Sequence, residues 1–228
     1  MGITKETPIK IVTFSFDDGV NNDIRLVKLL NKYGFKATFN LNSGKMFHED
    51  NWVFEGDIVY HLYEQEALSL YIGHEIASHG YHHINIDDAK DFSVIDEEIT
   101  IDILNLAKLF HTKINGFVIP YGETKKDIDP ILIINNIKWV RGVKSTYNFD
   151  VPNNLLHYQP TIRIADPRLD EIVDEFIKLK PTKKQVLYIW SHSYEFNTEE
   201  KWHHFEEILK KLNSQKDIFK LTNSDALL

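Results

Sequence analysis

Asp17 and Asp18, two adjacent carboxylates followed by Gly19, close a run in which Ile9, Ile11, Val12, Phe14 and Phe16 are β-branched or aromatic. Two acids side by side at a strand end repel each other. A bound cation offsets that repulsion and favours deprotonated oxygen ligands. Where the chain turns out of a strand, neighbouring side chains can diverge, so one carboxylate could take a metal while the other faces a substrate. The structural alternative is that Asp17 or Asp18 caps the amphipathic run from Asn22 to Tyr33. A second cluster, Ser78-His79-Gly80-Tyr81-His82-His83, offers His79 with His82 (i, i+3) or with His83 (i, i+4). Either spacing predicts two imidazoles on one face of a helical turn, close enough to share an ion. One carboxylate and two histidines leave coordination positions open for water and substrate. A lone His-x-x-x-His is more often structural, and it is the acid pair that turns the reading toward a metal.

Composition limits what such a site can serve. With 228 residues, 43% hydrophobic and 26% charged, the chain suits one large domain or two small ones, and no internal repeat, low-complexity tract or linker divides it. A net charge of −8 and the lack of any Lys/Arg run argue against a nucleic-acid partner. No stretch approaches the ~20 apolar residues of a membrane span. Met1 to Lys10 lacks the apolar core of a signal peptide. The sequence as written therefore reads as cytoplasmic, or as extracytoplasmic with an export signal removed. Without cysteine there are no disulfides and no thiolate metal sites, whereas eleven histidines offer neutral nitrogen ligands.

The elements that must position these groups alternate along the chain. Strands are predicted at residues 9–17, 36–42, 75–78, 117–119, 139–143, 161–164, 185–190 and 218–221. Helices are predicted at 23–33, 57–69, 93–111, 127–135, 169–179 and 199–212, with a loop over 145–158. Such alternation implies a parallel sheet with helical crossovers, and seven or eight units point to a closed α/β barrel. No glycine-rich loop follows the first strand, which argues against a dinucleotide fold. In barrels of this kind, chemistry sits on the loops after the carboxyl ends of the strands. That rule collects Asp17 and Asp18, the histidines at 79, 82 and 83, Pro120-Tyr121-Gly122 and His192 at one end.

Four of these stretches together resemble the polysaccharide deacetylase family, carbohydrate esterase family four: Phe16-Asp17-Asp18-Gly19, His79 to His83, Pro120-Tyr121-Gly122, and the apolar strand from Leu187 to His192. The resemblance implies a distorted (β/α)7-8 barrel that removes N- or O-linked acetyl groups from a carbohydrate such as an N-acetylglucosamine-containing glycan. It implies Asp18, His79 and His83 as ligands of a divalent metal, Zn²⁺ first and Co²⁺, Ni²⁺ or Mn²⁺ as alternatives, with His82 a bystander. It makes Asp17 the general base, His192 the general acid, and the Tyr121 backbone N–H a donor to the developing oxyanion. The partner is then a carbohydrate, with no nucleic acid and no membrane, and the oligomeric state is open.

The match departs from the family pattern at three places. Gly80 stands where Ser or Thr is usual. Val118 stands where the third motif has an arginine that pairs with the base, and Arg141 is the first candidate to replace it, Arg163 the second. The acidic motif near Trp139 is not recognisable, which leaves Asp150 and Asp166 as candidates to orient His192. Trp190, Tyr194, Tyr147 and Trp52 are candidate sugar-stacking faces, against the ordinary role of aromatics as core. Two further readings follow from the departures. One is a catalytically weak glycan-binding barrel; the other is a metal-dependent amidase acting on a small non-sugar amide.

Overall fold

The computed structural model describes residues 4–228. Its first strand, β1 (Lys10–Asp17), is buried along its whole length, and its side chains divide by alternation. Val12, Phe14 and Phe16 face a layer of helices, and Ile11, Thr13, Ser15 and Asp17 face the other way. This is the pattern of a strand at the centre of a two-sided parallel sheet. Around it run β2 (Ala37–Leu41), β5 (Glu75–Ser78), β6 (Gly116–Val118), β7 (Trp139–Arg141), β8 (Ile162–Arg163) and β9 (Gln185–His192), in the spatial order β7-β6-β5-β2-β1-β9-β8. Every pairing in this sheet is parallel. β10 (Ile218–Lys220) also pairs parallel with the opening residues of β1. The segment leading into β8 pairs with the outer edge of β7 through Tyr158: its N–H donates to Val140 O at 3.1 Å, and Gly142 N–H donates to Tyr158 O at 3.0 Å. The sheet thereby curls into a distorted (β/α) barrel.

Helices α1 (Asp23–Lys32), α2 (Glu64–Leu70), α3 (Phe92–Phe110), α4 (Asp129–Ile134), α5 (Leu169–Lys178) and α6 (Glu199–Asn213) form the outer layer. α6 turns Trp202, Phe205, Ile208, Leu209 and Leu212 inward at helical spacing, and Phe205 meets Phe14 and Phe16 edge-on at 5.7 and 6.2 Å. Each such buried aromatic contributes roughly 1.5–3 kcal/mol by leaving water. Inside the barrel, Trp139, Tyr158, Tyr188 and Trp190 pack with Ala226 and Leu227 of α7 (Asn223–Leu227), a short C-terminal helix that enters the barrel floor. Asn223 ties that helix in, accepting from Thr13 Oγ1 at 2.7 Å and donating to Tyr188 OH at 2.5 Å.

The structure corrects the expected helix over 57–69. Only Glu64–Leu70 is helical, while Asp57–Tyr60 is a strand, β4, paired antiparallel with β3 (Asn51–Phe54). Glu55 and Gly56, with φ of 48° and 97°, make the two-residue turn between them. This hairpin stands outside the barrel sheet and presents Trp52 and Phe54 to Tyr194, at 5.5 and 5.0 Å between ring centroids. α7 was not expected from the sequence.

Candidate active site

The pairing register places Asp17 opposite Asn40 of β2 on one side and His192 of β9 on the other, at the carboxyl end of the barrel. Asp17 is buried, and Arg141 Nη2 reaches both of its oxygens at 2.6 Å, while Asn40 Nδ2 donates to Oδ1 at 2.7 Å. Arg141 is itself fully buried, with its guanidinium 4.5 Å from the centre of the Trp190 ring. Burial alone would push the Asp17 carboxyl upward. The charges of Arg141, His79 and His192 and the Arg141 hydrogen bond outweigh it and hold the pKa down at about 2. Neither Asp17 nor Asp18 caps α1, whose first residues follow Asn22. Asp18 leaves the strand with φ 78°, in the left-handed region, so its carboxylate departs from the strand's alternation. Gly19 follows at φ 70°, where an added Cβ would lie 2.6 Å from Leu41.

The Asp18 carboxylate faces the histidine loop. Its Oδ1 lies 3.7 Å from His79 Nε2 and 3.8 Å from His83 Nε2, and the two Nε2 atoms are 3.2 Å apart. The loop is not a helical turn, as the spacing had suggested. Gly80 and His83 adopt φ of 83° and 58°, and this folds the two rings together edge to face. His82 turns away toward Glu98 and is exposed. The fold holds this irregular backbone from α3 and β2. Glu98 Oε1 accepts from the N–H groups of His82 and Ile84 at 2.8 and 3.2 Å. Asp102 Oδ2 accepts from Ser78 Oγ at 2.6 Å and from His79 N–H at 3.3 Å. Asn42 Nδ2 donates to the carbonyls of His79 and Gly80 at 2.6 and 2.7 Å. The short contact of His79 Nδ1 with Val118 O, at 2.8 Å, assigns the ring proton to Nδ1 and leaves Nε2 as a free electron pair. Burial, with the charge of His83 beside it, outweighs the nearby aspartates and depresses the His79 pKa to about 4, so the ring is neutral near pH 7. Asp18, His79 and His83 thus offer three ligand atoms within 4.8 Å of one another.

The family profile described as polysaccharide deacetylase matches residues 4–138. The chain belongs to the polysaccharide deacetylase family. No curated protein matches it. Among solved structures, it is similar to a family 4 carbohydrate esterase from Streptomyces lividans in complex with acetate, at 19% identity and a TM-score of 0.60 over 92% of this chain and 91% of that one. The peptidoglycan deacetylase PdaC from Bacillus subtilis is similar at 18% identity and a TM-score of 0.60, over 96% of this chain and 90% of that one. A CE4 family pseudoenzyme from Bacillus anthracis is similar at 16% identity and a TM-score of 0.61, over 96% of this chain and 66% of that one. At these identities the likeness is one of fold.

In this member of the family the two groups missing from the motifs are supplied from elsewhere in the fold. Arg141, at the end of β7, occupies the place beside Asp17, and Val118 contributes its carbonyl to His79 instead. His192 Nδ1 contacts Glu195 Oε1 at 2.6 Å, so the carboxylate that orients the ring is Glu195. Asp150 and Asp166, expected in that role, are engaged otherwise. Asp150 pairs with Lys183 at 2.9 Å and Gln185 at 2.7 Å, and Asp166 accepts from Tyr147 OH at 2.8 Å. Arg163, the second candidate for Asp17, pairs with Glu195, which Ser191 Oγ also supports at 2.9 Å. Sequence reasoning passed over Glu195, although a glutamate three residues beyond a strand-end histidine was a signal: that spacing returns a side chain to the same end of the barrel. Burial works against a charged His192. The Glu195 hydrogen bond and the Asp18 and Asp17 carboxylates overcome it and raise its pKa above the usual histidine value. His192 Nε2 stands 3.9 Å from an oxygen of each aspartate.

These groups line a cleft of about 610 Å³ together with Tyr121, Trp190 and Tyr194. Tyr121 sits at φ 61°, and its N–H meets no acceptor among the described residues. Of the four aromatics expected at the mouth, Trp190 is buried at the wall and Tyr194 stacks on His192 at 5.0 Å. Tyr147 and Trp52 are not part of the cleft lining; Trp52 packs behind Tyr194. No helix among the described residues is long and apolar enough to cross a membrane.

Proposed function

We propose that the protein is a metal-dependent hydrolase that removes N- or O-linked acetyl groups from a carbohydrate such as an N-acetylglucosamine-containing glycan. The observation that carries this reading is the convergence in one cleft of a three-ligand donor set, a separately anchored carboxylate and an oriented imidazole. The donor set fits a divalent ion. Two imidazole nitrogens and a carboxylate oxygen face one another, His79 is neutral, and its remaining nitrogen is committed to a carbonyl. Two histidines and a carboxylate suit Zn²⁺, and Co²⁺, Ni²⁺ and Mn²⁺ accept the same donors. When held by Asp18, His79 and His83, such an ion supplies Lewis acidity to the attacking water and the acyl oxygen.

The chain's own residues divide the remaining work. Asp17 is ionised at any working pH and fixed at both oxygens by Arg141, so it presents one orientation toward the water whose proton it takes. The Tyr121 N–H donates to the acyl oxygen as charge develops there. His192, favoured in its charged form and held by Glu195, gives a proton to the departing amine or hydroxyl. Arg141 beside Asp17 supports this reading over the weak glycan-binding one that Val118 suggests.

The test is acetate release from acetylated sugars by protein of known metal content. Cyclic ureides and imides serve as the comparison panel. Release abolished by a chelator and restored by Zn²⁺ is the expected result. Binding of the sugars without release returns the weak-barrel reading. Turnover confined to the cyclic compounds would assign the site to small non-sugar amides.

A further inference from the structure

The β3–β4 hairpin forms a sheet of its own, yet it is clipped to both sides of the cleft. At its base, Leu62 N–H donates to Gly19 O and Asn21 N–H donates to Tyr60 O, both at 3.0 Å. These bonds tie the returning strand to the residues that follow Asp17 and Asp18. At its tip, Glu55 Oε2 accepts from Asn197 Nδ2 at 2.5 Å, on the segment that follows His192. Between base and tip, Trp52 and Phe54 meet the Tyr194 ring at 5.5 and 5.0 Å between centroids, with planes at 90° and 62°. We propose that the hairpin is a brace for the general acid: Tyr194 is a positioning residue for His192, and Trp52 and Phe54 keep Tyr194 in place. The proposal rests on the deacetylase reading above, in which His192 protonates the leaving group.

The surroundings of His192 show what Tyr194 adds. Nδ1 faces Glu195 Oε1 at 2.6 Å, which fixes one atom of the ring. A ring pinned at one atom can still rock about that bond. Rocking swings Nε2, the nitrogen that gives the proton, away from its place 3.9 Å from each aspartate. Tyr194 blocks this motion, because it lies nearly parallel to the imidazole, with 27° between planes and 5.0 Å between centroids. Trp190 meets the same ring edge-on at 5.6 Å and 71°. The negative π-face of tyrosine also attracts an imidazolium. Tyr194 and Glu195 leave one 3₁₀ turn, Ser193–Glu195, so the turn that brings the carboxylate brings the stacked ring as well. The hairpin rings then limit where the Tyr194 side chain can go. Acid catalysis is sensitive to such placement, since a misplacement of about 1 Å can cost ~10²-fold in rate.

The test is a change of leaving group. When the C–N bond of an acetamide breaks, the nitrogen must take a proton, here from His192. When 4-nitrophenyl acetate is cleaved, the phenolate leaves with the electron pair as a stabilised anion and needs none. In Trp52→Ala/Phe54→Ala, two residues outside the cleft lining, kcat for the tetrasaccharide of N-acetylglucosamine should fall roughly tenfold with KM little changed. Turnover of 4-nitrophenyl acetate by the same variant should hold. Tyr194→Leu, which leaves the hairpin whole, should lose amide turnover to the same degree, and Tyr194→Phe, which keeps the ring face, should restore it. Equal losses on both substrates, or no loss on either, overturn the proposal, as does a Tyr194→Phe rate as low as that of Tyr194→Leu. If the wild type releases no acetate from the sugar, the deacetylase reading fails. NMR relaxation of the His192 Cε1–H then decides the brace: faster ring motion in Trp52→Ala/Phe54→Ala supports it, and wild-type rigidity overturns it.

Discussion

Asp17 and Asp18 are neighbours in sequence and opposites in environment. Asp17 is enclosed by Arg141 and Asn40, whereas Asp18 is swung by its left-handed backbone toward two imidazoles. Their amides should therefore fail differently. Asp17→Asn should lower turnover by roughly 10²–10⁴-fold, the span of general-base catalysis, with metal content near wild type. Asp18→Asn should lose the metal first and recover part of its activity in excess metal. Metal analysis and turnover on the same substrate decide the matter; loss of metal from Asp17→Asn alone would mean that the two roles are exchanged. Glu195 offers a third measurement. Replacing it by Gln leaves His192 a neutral neighbour, so kcat should drop within the same ~10²–10⁴ span of acid–base catalysis while KM changes little. An unchanged kcat would remove Glu195 from the mechanism.

At the level of elements, α3 does more than cover the sheet. Its buried face carries Ile95, Ile99, Ile103 and Leu106, and also Glu98 and Asp102, one turn apart. Those two carboxylates receive backbone N–H groups of the histidine loop, whose left-handed residues make no regular hydrogen bonds of their own. Glu98→Gln and Asp102→Asn should each weaken metal binding by roughly 10–100-fold, the usual effect of removing a group that holds a ligand in place. Competition against a chromophoric chelator measures this, and wild-type affinity in both variants would make α3 a bystander. The same level shows what the sequence could and could not tell. β1, α3 and β9 were legible because each buries a long, unambiguous apolar pattern. The β3–β4 hairpin was not, because Ile58 and Leu62 fall at helical spacing and the Glu55-Gly56 turn signal is short. α7 is five residues long, too few for a period to register. The metal-ligand candidates were legible because they are close in sequence. Glu195 was missed because the family pattern directs attention to an earlier acidic stretch.

For the molecule as a whole, one buried group outside the proposed chemistry sets a pH dependence. Asp23, in the first turn of α1, is fully buried. Burial, assisted by Asp18, pushes its pKa from 3.8 to about 7 despite the hydrogen bond from Tyr71 OH. The folded protein then holds a proton that the unfolded chain releases. Stability contributed by this residue is complete below about pH 4 and is lost as the pH rises through about 7. Asp23→Asn cannot titrate. In metal-free protein its stability relative to wild type should therefore grow by ~2–3 kcal/mol between pH 5 and pH 7.5. Urea unfolding at the two pH values gives the comparison, and a pH-independent difference would mean that Asp23 is not protonated in the fold.

The Asp17–Arg141 pair spans 124 positions of the chain. On a ribosome, Asp17 emerges long before the guanidinium that lets it be both buried and charged. A nascent barrel containing β1, β2, β5 and β6 alone would enclose the Asp17 carboxylate with the Asn40 amide but with no guanidinium to offset its charge, an arrangement that burial resists. We therefore expect β1 to stay loosely docked until β7 brings Arg141 to Asp17 and β9 pairs beside β1. Ion pairing would then act as a checkpoint on the order of assembly. Arg141→Met should slow refolding more than unfolding is hastened, because the pair forms as the ring closes. Stopped-flow refolding of the variant tests this, and a folding rate equal to wild type would place the pairing after the rate-limiting step.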